Sequence, residues 1–505
     1  MISIAEALTW WSRTRPDQVA IDFEGDEITY RELDSWADGV AQCLAVEGIQ
    51  PGDRVAIAAR SSQEWCACAL GAHRAGAVVV PFNTRMTARE LAVLAEECEP
   101  RFVFADNDLR ERMEIVQARL GFFELRGLDK IASLRGGEHA DFPSVDVAAD
   151  AASVIVFTSG TTGRPKGVVF THMTLAAAMF EWSLVHEYPR NGLRPLMVLP
   201  MFTAAGVIWC FERTILVGGT LVLESHFDPA RAVRLLQEKK ITNLAGPSIV
   251  FDRIADAPGF VEADLSSLKN AHVGGSRVEG ETIEKWRRRG VTVCQMYGQT
   301  EIGGFAMANT PELGADHPEF CGWGGVFTRA RIVDGSGKQV PPGTPGEILL
   351  RGPGMTPRYW NNPAATDSTI IDGWIHSGDV GFVDDAGNLT FVDRMTAMII
   401  TGGLNVSPAE VEDVIEQIPG VVEVAVIPVP DPTFEETPAA LVYGSGTLRP
   451  EDVVAYCIER LADYKVPRYV VLMDSPLPRT ATGKLEKTKL RSTYQDIAHR
   501  YPKVR

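Results

Sequence analysis

Residues 158–167, TSGTTGRPKG, place four hydroxyl side chains, three glycines and two cations in ten positions. Glycines let backbone N–H groups approach an anion closely, hydroxyls donate hydrogen bonds, and Lys166 adds a mobile positive charge. Phosphate binding is the chemistry that combination suits. The spacing is not that of G-x-x-x-x-G-K-[ST], because Pro165 precedes Lys166 and Gly167 follows it. The flanks SVIVF and GVVFTH both read as strands, so the spacing predicts a strand–loop–strand hairpin rather than a strand running into a helix.

The elements around that hairpin alternate. RELDSWADGVAQCLAVEGI reads as a helix, DRVAIAA as a strand, and ALGAHRAGAVVVPF as a helix followed by a strand. Such alternation predicts an α/β fold with largely parallel sheets. From about Arg329 to Arg394, short strands (GEILLRG, NLTFVDR) separated by turn clusters (DGSGK, PPGTPG, DDAGN) predict a β-rich subdomain. After MIITGG, a helix starts at Ser407, Pro408 and Glu410, with Val411, Val414, Ile415 and Ile418 on its buried face. VVEVAVIPV and AALVYG read as strands and PEDVVAYCIERLADY as a helix, giving a compact α+β unit. The expected fold is α/β, with a large N-terminal domain (1–395, including a β-rich subdomain at 329–395). A small α+β C-terminal domain (396–505) follows. At the N-terminus, Ser3 and Glu6 read as a capping box, with Ile4, Leu8 and Trp11 on one helical face.

Composition narrows the partners. At 505 residues, 45% hydrophobic and 23% charged, the chain reads as a soluble protein of at least two domains. A net charge of −17 argues against nucleic acid as a general partner. The tail is the exception, with eight Lys/Arg from Arg479 onward against Glu486 and Asp496. No apolar run approaches the roughly 18–20 residues of a membrane span, and the start lacks a leader pattern. The eight cysteines are scattered without a CxxC and read as reduced, mostly buried thiols of a cytoplasmic protein. Cys66 and Cys68, two apart, would point to different faces of a helix. Monomer and homodimer both stay open as assembly states.

With the hairpin stand further segments in order: PMFTAAG (200–206), GGS (274–276), YGQTE (297–301), DGWIHSGD (372–379), DRMTAMIITGGLNVSPAEVE (393–412) and PRTATGK (478–484). Together they resemble the adenylate-forming superfamily of acyl-CoA synthetases, peptide-synthetase adenylation domains and firefly-type luciferases, over essentially the whole chain. The resemblance implies an enzyme that couples a carboxylic acid to ATP as an acyl-adenylate and passes the acyl group to a thiol. ATP, Mg²⁺ and coenzyme A are the implied small molecules.

The resemblance also implies roles. Thr158, Ser159, Gly160, Thr161, Thr162, Gly163 and Lys166 would grip the β- and γ-phosphates. Tyr297 and Gly298 would meet adenine, Thr300 the α-phosphate, and Glu301 would hold Mg²⁺. Asp379 and Arg394 would bind the ribose hydroxyls, and Gly274, Gly275 and Ser276 would line the adenine and acyl sites. Lys484 would bridge the attacking carboxylate and the α-phosphate as the catalytic ammonium. Thr396 would be the pivot of a mobile C-terminal domain that rotates between half-reactions, bringing Gly402 and Gly403 in to shape a thiol tunnel.

Four positions depart from the family pattern. Thr203 stands where a histidine is usual, Thr396 and Ala397 where a charged pivot and an acidic residue are usual, and Leu404 where Glu is common. Amino-acid-activating relatives carry an aspartate in the 200–206 region to pair with the substrate ammonium. Thr203 here points instead to a hydrophobic monocarboxylic acid, fatty or aryl, because a buried ammonium without a carboxylate is costly. Phe202, Thr203, Trp209 and Phe305 are the expected acyl-pocket residues. The expected reaction is that of an AMP-forming acyl-CoA synthetase, the alternative acceptor being a carrier-protein phosphopantetheine arm.

Overall fold

The computed structural model describes the chain except Met1 and residues 159–164, 186–191, 276–279, 396–398, 402–403, 407, 432–434, 447, 462 and 480–484. Two compact units emerge: Met1–Arg331 with Leu349–His376 and Gly387–Leu389, and Ile332–Ile348 with Ser377–Ala386 and Thr390–Arg505.

The first unit holds two mainly parallel sheets. A nine-stranded sheet has at its centre the parallel series Val293–Tyr297, Asn270–Val273, Asn243–Gly246, Pro195–Met197, Leu221–Leu223 and Val19–Phe23. A six-stranded sheet sets Phe102–Ala105, Arg54–Ala58, Val78–Pro81 and Ala152–Thr158 in parallel, with Lys166–Thr171 antiparallel at its edge. Runs such as Val78–Pro81 and Phe102–Ala105 are buried at every position, as parallel strands covered on both faces must be. The predicted hairpin forms, with Thr158 opposite Lys166.

Side-chain caps start the helices. Thr29 caps Tyr30–Val46 by accepting the Glu32 N–H, while the Glu32 carboxylate accepts the Thr29 N–H. Ser3 caps Ile4–Thr14 by accepting the Glu6 N–H, which is one half of the expected capping box. Helix Gln63–Arg74 is enclosed on all sides rather than on one. Cys66 and Cys68 are therefore both fully buried, whatever face each occupies. All eight cysteines are free thiols, and all but Cys43 are buried.

Between Arg329 and Arg394 the chain is strand-rich, with Arg329–Val333, Gly346–Arg351, Ile370–Ile371, Trp374–Val383 and Leu389–Arg394. In the second unit, Glu435–Gly444 pairs antiparallel with Val421–Asp431 and parallel with Tyr469–Met473. Helix Pro408–Glu416 buries Val411 and Ile415 against this sheet's core. The helix predicted over 450–464 stops at Ile458, where Arg460 and Leu461 both donate to the Cys457 carbonyl and turn the chain. No helix among the described residues is long and apolar enough to cross a membrane.

Candidate active site

The stem of the glycine-rich hairpin is fixed by burial. Val154, Ile155, Val168 and Val169 are fully enclosed, and Thr158 Oγ1 donates to the Lys166 carbonyl at 3.4 Å. Residues Ser159, Gly160, Thr161, Thr162 and Gly163 lie outside the described residues. A segment 200 residues further on, Thr356 to Trp360, runs along the outer side of this stem. The Trp360 N–H donates to the Gly167 carbonyl at 2.7 Å, the Val169 N–H to the Arg358 carbonyl at 3.2 Å, and Thr356 Oγ1 to the Val169 carbonyl at 2.7 Å.

That segment links the hairpin to Glu301. The Thr356 N–H donates to the Glu301 carbonyl at 2.8 Å. The Tyr359 hydroxyl donates to Glu301 Oε1 at 2.7 Å, and Lys166 Nζ sits 5.2 Å over the Tyr359 ring. The ring is thus a spacer with a cation on its face and a carboxylate at its tip. Burial, and then the adjacent Glu301 charge, pushes the Tyr359 phenol well above its ordinary value. The hydroxyl therefore stays protonated and remains the donor. Thr158, Lys166 and Glu301 are joined in this way, and Tyr359 is the residue that sequence reasoning missed. Its only sequence cue is an aromatic pair after a Gly-Pro-Gly turn (352–354), which carries no periodicity to read.

Glu301 is held by a tight turn at the end of a central strand. Strand Val293–Tyr297 buries Tyr297, and a single 3₁₀ turn, Thr300–Ile302, carries Thr300 half-buried and Glu301 buried. Gly298 has no room for a side chain, because a Cβ there would lie 2.3 Å from the Gly304 carbonyl oxygen. Gly298→Ala should therefore cost about 1–3 kcal/mol by overpacking, read as a lowered unfolding midpoint in heat or denaturant. Gly304 has φ +98, and a Cβ on it would fall 2.3 Å from Trp209 Nε1. The Trp209 indole N–H donates to the Gly303 carbonyl, so the turn and the indole fix each other.

The neighbouring parallel strand, Asn270–Val273, leads into Gly274 and Gly275. The Gly274 N–H donates to the Gly246 carbonyl at 3.1 Å, and Gly275 is left-handed with φ +76. Ser276 lies outside the described residues. A Cβ on Gly274 would meet Phe305 Cε1 at 3.2 Å, which puts that ring against the glycine pair. Gly274 and Tyr297 thus share the C-terminal edge of a parallel sheet, where open α/β sheets place their ligands.

A small cavity of about 30 Å³ lies behind Phe305, with room for about two water molecules. Trp182, Trp209 and Phe305 form its aromatic wall, with Trp209 5.0 Å from each of the other two rings. Of the four expected acyl-pocket residues, Trp209 and Phe305 line it, and Phe202 and Thr203 do not. Thr203 instead starts the next element: its Oγ1 accepts the Gly206 N–H at 3.0 Å and donates to the Pro200 carbonyl at 2.9 Å. That element, Ala205–Glu212, is a π-helix, a form that recurs at functional sites. It is anchored at its end by the fully buried pair His73 Nε2 and Glu212 Oε1, 3.0 Å apart. Arg213, which follows, also lines the cavity, as do Asn243, Asn270 and His272.

In the second unit, Asp379 is buried on strand Trp374–Val383, and Arg394 ends strand Leu389–Arg394. Arg394 Nε lies 3.0 Å from Asp379 Oδ1, with the arginine more than half exposed. An ion pair that open contributes little to stability. An acceptor-only carboxylate beside a donor-only guanidinium is, however, a matched pair for the hydroxyls of a sugar. Thr396, Gly402, Gly403 and Lys484 lie outside the described residues.

Comparison with known proteins gives the family. The AMP-binding enzyme family matches residues 8–360, and the AMP-binding enzyme C-terminal domain matches residues 410–484. A feruloyl-CoA synthase of Amycolatopsis sp is 34% identical over 490 residues, covering 96% of this chain and 97% of that protein. A fatty acid–[acyl-carrier-protein] ligase of Streptomyces coeruleorubidus is 30% identical, covering 97% of this chain and 96% of its own. The crystal structure of ATP-bound MatB from Rhodopseudomonas palustris is similar with a TM-score of 0.89 and 31% identity, covering 98% of this chain and 99% of that one. A matched N-terminal region of more than 350 residues, a matched C-terminal domain and full-length relatives make this chain a member of the AMP-binding enzyme family, among its AMP-forming acyl-CoA ligases.

Proposed function

We propose that the enzyme activates a hydrophobic monocarboxylic acid, fatty or aryl, with ATP and transfers the acyl group to coenzyme A. In the first half-reaction a carboxylate oxygen attacks the α-phosphorus, the bond to the β-phosphate oxygen breaks, and pyrophosphate leaves. In the second, a thiolate attacks the acyl carbonyl and AMP leaves. The observation that carries this reading is the chain from Lys166 through Tyr359 to Glu301, which joins a phosphate-type hairpin to a buried carboxylate.

In this reading Thr158, Lys166 and the hairpin hydroxyls hold the β- and γ-phosphates, Tyr297 meets adenine, and Asp379 with Arg394 takes the ribose. Gly274 and Gly275 leave room at the strand ends for the reacting atoms. Glu301 fits Mg²⁺, an ion that keeps waters and substrate phosphates as most of its ligands. Among the described residues no group of three or more His, Cys, Asp or Glu could hold a metal, so a single carboxylate is the matching donor set. The ion, when bound, would neutralise charge on the phosphate oxygens. Tyr359 is a positioning residue that fixes the Glu301 carboxylate. The free, mostly buried thiols suit a reducing compartment such as the cytoplasm.

Tyr359→Phe removes one hydrogen bond to a charged group, worth about 1.5–3 kcal/mol. We expect kcat/KM for ATP to fall by about ten- to a hundredfold, with a higher Mg²⁺ concentration needed for half-maximal rate. An unchanged Mg²⁺ dependence would show that the phenol does not hold Glu301 in place.

The reading as a whole is tested by giving purified enzyme a panel of acids with ATP, Mg²⁺ and coenzyme A. AMP and pyrophosphate should form with at least one of them, and their absence with every acid overturns it. Transfer to a carrier-protein arm is the second reading, favoured by the full-length similarity to a carrier-protein ligase. Faster thioester formation with a loaded carrier than with coenzyme A would select it.

A further inference from the structure

Two segments far apart in sequence, 393–412 and 478–484, are tied to each other in the second unit by carboxylates. Residues 480–484 lie outside the described residues, and the chain on either side of them is fastened. Arg479 and Leu485 form an antiparallel bridge, and the Glu486 N–H donates to the Pro478 carbonyl at 2.9 Å. Before the segment, the Glu423 carboxylate accepts the Leu477 N–H at 2.7 Å and meets the Arg479 guanidinium at 2.8 Å. After it, Lys487 Nζ lies 2.7 and 2.8 Å from the two oxygens of Glu412. Glu412 Oε1 also accepts the Val426 N–H. Glu423 and Val426 belong to one strand, Val421–Asp431, so a single strand supports both anchors.

Neither anchor is an open surface ion pair of the kind that contributes little. The Glu412 side chain is 13% exposed and the Glu423 side chain 18%, and each carboxylate also holds a backbone N–H. Burial raises the Glu412 pKa and the Lys487 ammonium opposes the rise, so removing the lysine would leave a buried carboxylate unmatched. The sequence just before Lys484, Thr-Ala-Thr-Gly, has no large apolar side chain to pack. The apolar anchors stand further out, with Leu477 and Leu490 buried in one cluster and Leu485 packed against it. A two-residue bridge alone can pivot about its base, and a side-chain clamp on each of its arms removes that freedom. Lys484 is covalently the next residue to Leu485, about 3.8 Å away from Cα to Cα. What holds Leu485 therefore limits where the lysine can start.

We propose that Glu412 and Glu423 are positioning residues for Lys484: by holding Lys487 and Arg479 they fix both ends of the segment that carries it, and so govern acyl-adenylate formation. This rests on the proposed function and on the role that the family resemblance implies for Lys484, and it deepens both. Placement matters most to a group that bridges two reacting anions, because a displacement of about 1 Å can slow a reaction about a hundredfold. It matters less in the second half-reaction, where the bond that Lys484 helps to form already exists.

The test uses the full-length enzyme with whichever acid of the panel above releases most pyrophosphate, and measures the half-reactions separately. Pyrophosphate release reports the first, and conversion of that acid's ready-made adenylate to thioester reports the second. Glu412→Gln and Glu423→Gln are nearly isosteric and can still accept their backbone N–H groups. Each should slow pyrophosphate release by about tenfold, part of what a full 1 Å displacement would cause, and leave thioester formation within about twofold of its starting rate. Added to Lys484→Ala, either substitution should slow pyrophosphate release no further, because a group that acts only through the lysine has nothing left to position. The two carboxylates stand on separate elements, so one variant carries the test if the other does not fold. Equal slowing of both half-reactions, a further loss on the Lys484→Ala background, or unchanged pyrophosphate release in a folded variant overturns the inference and leaves the ligase reading standing. Full-rate pyrophosphate release by Lys484→Ala overturns the role of that lysine and the inference with it. No pyrophosphate from the unsubstituted enzyme with any acid overturns the ligase reading as well.

Discussion

Lys484→Ala should slow acyl-adenylate formation by about a hundred- to a thousandfold, the usual cost of removing one preorganised donor from a developing charge. ATP affinity should change little. The argument is electrostatic. A carboxylate must approach a triphosphate, and both are anions. In the proposed reading, a cation that holds the phosphates, as Lys166 would, acts on the ground state as well as on the transition state. Uniform binding of that kind does not raise kcat. An ammonium that bridges the incoming carboxylate oxygen and the α-phosphate acts mainly as the new bond forms. We propose that Lys484, last residue of PRTATGK, is that group. Pyrophosphate release measures the first half-reaction, and equilibrium binding of ATP measures the ground state. A second assay sharpens the assignment: acyl-adenylate supplied ready-made should still be converted to thioester by the variant, because the bond Lys484 helps to form already exists. Equal loss in both half-reactions would instead mark Lys484 as a structural residue, and unchanged adenylation would remove it from the mechanism.

What the sequence disclosed, and what it withheld, follows from the range of the interactions involved. The hairpin was legible because its composition is local: apolar strands either side and glycines between them. The parallel sheets were legible because strands buried on both faces, such as Val78–Pro81, are written as continuous apolar runs. Tyr359 was not legible. Its role depends on a segment that meets Lys166–Thr171 and Glu301 across 55 residues or more of chain, and no periodicity encodes that meeting. The π-helix at Ala205–Glu212 was hidden for another reason. Its apolar residues are buried at almost every position, so no amphipathic stripe reveals the wider turn. That turn, capped by Thr203, points Trp209 and Arg213 into the cavity and leaves Phe202 and Thr203 outside its lining. Arg213 did leave a trace, as a charge inside VIWCFERTIL. Glu212 stands one residue before it. In the fold the two part company, with Glu212 turned to His73 and Arg213 to the cavity.

Glu301→Gln should lower kcat/KM for ATP by about a thousandfold or more and raise the Mg²⁺ concentration needed for half-maximal rate, because a Lewis-acid contact is worth several kcal/mol. The substitution is nearly isosteric. A glutamine oxygen can still accept the Tyr359 hydroxyl at the position of Oε1, so the turn Thr300–Ile302 and the cavity behind it should persist. What disappears is the negative charge. This separates Glu301 from Tyr359, whose loss leaves the charge but frees it to move. The order of effects is therefore part of the prediction, with Glu301→Gln well beyond Tyr359→Phe. The double variant should be little worse than Glu301→Gln alone, since a phenol that acts only by orienting a carboxylate has nothing left to orient. Additive losses would mean that Tyr359 touches the nucleotide itself. The pH profile gives an independent check. Burial and the Glu301 charge raise the Tyr359 pKa, so the phenol is protonated throughout the working range, and Tyr359→Phe should leave the alkaline limb in place. If that limb moved, the hydroxyl would be exchanging a proton during turnover, and its part in the reaction would be chemical rather than positional.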